Sequence, residues 1–146
     1  MPHLFPSDSW VAAYREAINA SAGYRHAGRD WTHGVVALVV KSLALPGCAA
    51  AEDYAMMLDV HQGECRSARL VQGGSGQEAA FIILSDYARW KSVLLREVDP
   101  TMAMMQGKLK LTKGHMPTMI KFVKASKELV DAAGNVETTF LDAGPV

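Results

Sequence analysis

The chain predicts an α+β fold: a five-stranded, largely antiparallel sheet with helices packed on one face. Three observations predict it. Strand-like apolar runs cluster in the middle of the chain, amphipathic helical stripes sit mostly toward its ends, and Gln62-Gly63 joins two of the strands too tightly for anything but antiparallel pairing. A length of 146 residues suits one domain, and no repeat or shift of composition divides it. The expectation is a single unit over 1–146, with 1–6 and 142–146 loosely ordered.

The elements follow in order. A first helix starts near Ser7 or Ser9 and runs to Ala22, because Trp10, Tyr14, Ala17, Ile18 and Ser21 recur at helical spacing, and Gly23 stops it. Tyr24 to Trp31 is short and basic, with room for another helical turn or two. Gly34 to Val40 carries four valines and reads as a strand apolar on both faces, broken by Leu45-Pro46-Gly47. Tyr54, Met56, Leu58 and Val60 alternate with Ala55, Met57, Asp59 and His61, so this is a second strand. Gln62-Gly63 turns it back into a third, Glu64 to Val71, since glycine accepts the positive φ of a tight hairpin. The glycine-rich loop 72–77 leads to a fourth apolar strand, Ala79 to Leu84. Ser85 is expected to cap a helix buried along Tyr87, Trp90 and Leu94 and closed by Asp99-Pro100. Met102 to Gln106 has length for one more turn. Leu109 and Leu111 face inward between Lys108, Lys110 and Thr112 in a half-exposed fifth strand, whose lysines guard an edge. A last helix runs from about His115 to Ala133, apolar over roughly half its circumference, and must be clamped between surfaces or line a cavity. Phe140 and Leu141 in the tail are apolar enough to dock back.

Composition narrows the function. Fifteen Lys+Arg balance fifteen Asp+Glu, without the basic excess a nucleic-acid binder needs. Cys48 and Cys65 form no spaced cluster, which points to a reducing, cytoplasmic setting rather than a disulfide framework or zinc site. No segment approaches the ~18 apolar residues of a membrane span, so no integral membrane segment is expected. Asp59, His61, Glu64 and Cys65 lie close in sequence but straddle a hairpin turn, where polar side chains normally face water. The Gly73-Gly-Ser-Gly76 loop lacks the following Lys-Thr and helix of a phosphate cradle. No catalytic residue, metal or cofactor is assigned, and the chain reads as a non-enzyme.

Methionine says more. Five of eight fall at 102, 104, 105, 116 and 119, where helices meet the sheet. Methionine fills irregular gaps in a core, and it also suits surfaces that adapt to varied apolar ligands. The run Ala80-Phe-Ile-Ile-Leu-Ser85, Trp90, and Asp99-Pro-Thr-Met-Ala-Met-Met-Gln-Gly-Lys-Leu-Lys-Leu111 resembles the sterol carrier protein type 2 family, specifically over about 78–130. That resemblance implies an SCP2-like fold enclosing a hydrophobic tunnel between sheet and helices. It implies non-enzymatic binding or transfer of a sterol, fatty acid or fatty acyl-CoA. Carried onto this chain, the lining roles fall to Phe81, Ile83, Trp90, Leu94, Met102, Met105, Gln106, Met119, Ile120 and Val123. Arg96-Glu97-Val98 and His115-Met116-Pro117 depart from the family pattern and bear on tunnel shape. The alternative role is an accessory or dimerisation module that buries the same apolar surface against a homodimer mate or a larger complex.

Overall fold

The computed structural model describes residues 2–43, 52–72 and 78–140. Helix α1 (Asp8–Ala20) begins at Ser7, whose hydroxyl accepts from the Trp10 amide, and ends at Ser21, which also caps the short α2 (Ala22–Ala27). One serine serves two helix ends, so the chain bends two residues before Gly23. Strands β2 (Val36–Leu43), β3 (Glu52–His61) and β4 (Glu64–Gln72) follow, then β5 (Phe81–Ser85), α3 (Tyr87–Leu94) and α4 (Pro100–Met105). β6 (Lys110–Lys113), α5 (Met116–Lys121), α6 (Val123–Ala133) and a three-residue β7 (Thr138–Phe140) complete the order.

The main sheet has five strands in the order β4-β3-β2-β5-β6. Three of its pairings are antiparallel, but the central β2–β5 pair is parallel, so the sheet is mixed. The reason is topological: β5 returns beside β2, on the side that β3 leaves free. The β3–β4 hairpin turns at Gln62 and Gly63 with φ of 49° and 84°, the left-handed pair a two-residue loop requires.

The sheet's two faces differ. Tyr54, Met56, Leu58 and Val60 on β3, with Val36 and Val40 on β2, join one cluster with the buried residues of every helix. Ala37, Val39, Ala55, Met57 and Ile82 form a separate cluster on the opposite face, to which no helix contributes. Helices therefore cover one face. Both faces are apolar, which is why β2 and β5 read as continuous hydrophobic runs.

Several expectations need correction. Asp86, not Ser85, caps α3 by accepting from the Arg89 amide at 2.9 Å; Ser85 is the buried last residue of β5, and its hydroxyl donates to the Lys108 carbonyl at 2.7 Å. Asp99-Pro100 opens a helix as well as following one, with the Asp99 carboxylate accepting from the amides of Thr101 and Met102. The last helix breaks at Phe122 (φ −101°, ψ 31°), whose ring packs edge-on against Trp31 with centroids 4.9 Å apart. Residues 3–5, expected to be loose, form strand β1 (His3–Phe5), paired parallel with β7. Burial holds them: Phe5 is fully enclosed and packs on Trp10 and Phe140. Leu45-Pro46-Gly47, Cys48, the Gly73–Gly76 loop, Leu141 and 142–146 lie outside the described residues.

Candidate functional site: an apolar cavity over the sheet

The covered sheet face and the helices enclose a cavity of about 70 Å³. Val36 and Leu38 of β2, Val60 of β3 and Ile83 of β5 form its floor. The strand register makes this possible, because Leu38 pairs with Met56 on one side and Ile83 on the other. Trp90 and Val93 of α3 and Pro100 and Met104 of α4 form one wall. Met119, Phe122, Ala125 and Leu129 form another across α5 and α6. Tyr14, Tyr24 and Trp31 close it from the N-terminal side.

Its chemistry is almost wholly apolar, and among the described residues the lining holds no charged side chain. Three of the polar side chains at the wall are committed to the protein. The Tyr14 hydroxyl donates to the Leu129 carbonyl at 2.9 Å, Trp90 Nε1 to the Val39 carbonyl at 2.8 Å, and Trp31 Nε1 to the Gly34 carbonyl at 3.0 Å. Burial holds the phenols of Tyr14 and Tyr24 well above the ordinary tyrosine range, with a smaller contribution from Cys65. They present neutral faces to the cavity at physiological pH. Such a site selects by shape and apolar area, not by charge.

Two basins border the cavity. One, of about 180 Å³, brings Arg89 and Lys108 beside Val93 and Leu109. The other, of about 220 Å³, brings Arg96 and Lys127 together with Asp99 and Asp131 beside Pro100 and Val130. Each shares two apolar residues with the cavity lining, so charged side chains, cations alone in the first basin and both signs in the second, stand just outside an uncharged interior.

The ten residues singled out in the sequence divide. Ile83, Trp90 and Met119 line the cavity. Phe81 is buried against Trp31, with centroids 5.0 Å apart, behind the lining; Leu94 and Val123 are half-buried outside it. Met102, Met105 and Ile120 are 51%, 65% and 44% exposed, and Gln106 is exposed as well, so these four stand on the outer surface. The reason is helical phase. In α4 the side chain turned inward is Met104, and in α5 it is Met119, which leaves their neighbours facing water. Met104, Phe122 and Leu129 line the cavity as well. Phe122 and Leu129 fall on the apolar face that periodicity gives the last helix, whereas the phase of Met104 in the six-residue α4 cannot be fixed from sequence.

The hairpin residues show no reactive arrangement. Asp59 pairs with Arg66 at 3.0 Å. Cys65 is buried, its thiol 3.3 Å from the Ser67 carbonyl, and burial pushes it up to about 11, the direction opposite to an activated nucleophile. Among the described residues no group of three or more His, Cys, Asp or Glu is placed to hold a metal ion.

The SCP-2 sterol transfer family matches residues 15–127. The chain belongs to that family. Its fold matches a crystal structure of sterol carrier protein 2 at 35% identity, covering 89% of this chain and 97% of that one, with a TM-score of 0.79. A conserved protein from Thermus thermophilus, described as possibly a sterol carrier protein, matches at 34% identity over 94% of this chain and 92% of its own, with a TM-score of 0.80. The apo form of sterol carrier protein 2 from Yarrowia lipolytica shares the fold at 15% identity and a TM-score of 0.52. No curated protein matches the chain significantly. Membership of the SCP2 family makes this a protein of the lipid-binding and transfer type. Among the described residues no helix is long and apolar enough to cross a membrane.

Proposed function

We propose that this chain binds and transfers an apolar ligand (a sterol, fatty acid or fatty acyl-CoA) without chemical conversion, in the cavity between sheet and helices, in the cytoplasm. The observation that carries the reading is the uncharged, adaptable lining: Ile83, Trp90, Met104, Met119, Phe122 and Leu129 surround a void, with the Tyr14 hydroxyl and the Trp90 indole N–H hydrogen-bonded to backbone carbonyls. Each methylene that leaves water for such a lining gains about 0.8 kcal/mol, so a long chain needs no charged anchor inside. A void of about 70 Å³ is roughly half the ~150 Å³ of an engineered apolar cavity that admits benzene. A long ligand therefore enters by parting the walls, and methionine side chains suit that role.

Extraction of the purified protein into organic solvent, followed by mass spectrometry, is expected to release an apolar ligand. A fluorescent fatty acid is expected to bind saturably and to be displaced by the natural ligand. Failure of every apolar probe to saturate rejects the reading.

The accessory or dimerising role has less support. On the last two helices Met119, Phe122 and Ala125 turn inward, and among their described large apolar side chains Ile120 alone stands exposed for a partner. A stable dimer by light scattering, with no ligand bound, would favour it instead.

A further inference from the structure

Charge is segregated along this neutral chain. From Pro100 to Lys127 there are six lysines and no aspartate or glutamate, so the stretch carries +6; the remainder, with nine Lys+Arg against fifteen Asp+Glu, carries −6. All six lysines are exposed. Among the described residues four large apolar side chains stand out in water, Leu95, Met102, Met105 and Ile120, and three of them fall inside the same stretch.

The fold puts much of this stretch on the helical side of the cavity, where its two walls meet as α4 packs on α6. Met104 and Met119 face the cavity, so Met102 and Met105 on α4, and Ile120 and Lys121 on α5, stand on the outer side of the helices that enclose it. Lys124 and Lys127 are exposed where Ala125 and Ser126 between them line the cavity. Lys110 and Lys113 pair opposite Leu84 and Ile82 on the edge strand, so they extend the positive field around the sheet edge rather than onto this side. Bordering acids are committed elsewhere. Asp99 caps α4, Glu128 is turned against Gly23 of α2, and Asp131 pairs with Arg96 at 3.4 Å.

We propose that the outer face of α4, α5 and α6 docks on the surface of an anionic lipid bilayer, with the lysines among lipid phosphates and Met102, Met105 and Ile120 in the apolar layer beneath. The proposal rests on the carrier reading and deepens it, because an apolar guest leaves the cavity most readily where its wall already touches a membrane. Charge complementarity names the partner. Lysines interleaved with exposed apolar side chains match a surface that is anionic outside and apolar a few ångströms in. A nucleic acid would leave those side chains against phosphates.

The test is cosedimentation of the full-length chain with vesicles of phosphatidylcholine alone or mixed equally with phosphatidylglycerol. Binding is expected to be at least about tenfold stronger to the anionic vesicles and to weaken with salt. It should be lost in Lys121→Glu/Lys124→Glu and reduced in Met102→Ser/Met105→Ser, but kept in Arg66→Glu/Arg69→Glu on β4. Circular dichroism establishes that each variant is folded. Equal binding to both vesicle types, or wild-type binding by the folded lysine variant, overturns the proposal; so does capture of polyglutamate with no capture of vesicles, which would favour an acidic protein partner. Fatty-acid binding in solution, measured on the same samples, separates the two ideas. If docking alone fails, ligand binding persists without vesicle binding; if the carrier reading fails, ligand binding is absent even where vesicles are bound.

Discussion

Met104 and Met105 are adjacent in the chain and opposite in environment: the first is buried at the cavity wall, the second is 65% exposed. The same contrast separates Met119 from Ile120. Substitution should expose it. Met119→Gln places an amide in an apolar lining, where an uncompensated polar group costs about 1–3 kcal/mol. It is expected to weaken fluorescent fatty-acid binding in solution about tenfold. Met105→Gln changes a solvated side chain and should leave that affinity within about twofold, as surface substitutions usually do. Equal effects of the two would show that the ligand does not occupy the cavity. Here the sequence was informative only in part. The density of methionines falls where the cavity lies, but in helices of six residues the inward side is set by what the sheet presents, not by the chain's own periodicity.

A second prediction belongs to single residues. Burial raises the Cys65 thiol from about 9 to about 11, opposed by Arg15 and reinforced by Asp59 and Glu64. Burial also raises Tyr14 and Tyr24. In the unfolded chain these groups lose their protons at ordinary values, while the folded protein keeps them. Their contribution to stability is therefore intact below about pH 9 and declines as pH climbs toward 11. Urea midpoints should fall between pH 8 and pH 10.5, and the fall should be shallower in Cys65→Ala. A flat profile across that interval would contradict the buried, protonated state of these groups.

At the scale of elements, what distinguishes this molecule is how α1 is pinned. Asn19 bridges to β4 twice: its side-chain amide donates to the Cys65 carbonyl at 3.0 Å, and its carbonyl oxygen accepts from the Cys65 amide at 2.8 Å. Arg15 adds a third contact to the same carbonyl at 3.3 Å. Removing the amide takes the acceptor from the Cys65 N–H, a group worth about 1–3 kcal/mol when left unsatisfied, while Arg15 still donates to the Cys65 carbonyl. Asn19→Ala should accordingly lower unfolding free energy by about 1–3 kcal/mol, read from denaturant melts, while Asn19→Asp should retain the half of the bridge that accepts. The element order, the hairpin and both amphipathic ends were legible because periodicity and turn chemistry are local. The break at Phe122 and the parallel β2–β5 pairing were not. The first answers to a ring contact with Trp31, and the second to which edge of β2 remained open, and both are decided by residues far away in sequence.

For the whole molecule, the central question is how a cavity of about 70 Å³ serves a ligand many times longer than benzene. The floor is poorly suited to move, since β2 is bonded to β3 on one side and β5 on the other, and a strand so placed opens only with the sheet. The opposite wall is different. α4 and α5 have six residues each, too short to hold themselves as helices without packing, and α5 joins α6 through the irregular Phe122. Ligand-free protein should therefore exchange amide hydrogens fastest, among its helices, in 100–123. Saturation with a fatty acid should slow that exchange and leave the β2, β3 and β5 amides unchanged. At a hundredfold excess over Kd the ligand should add about 2.7 kcal/mol to unfolding free energy. Protection that appeared in the sheet while α4 and α5 stayed silent would place the guest elsewhere. The outward faces of these same short helices carry Met102, Met105, Ile120 and Lys121, so whatever a membrane does to those side chains acts directly on the wall that has to yield.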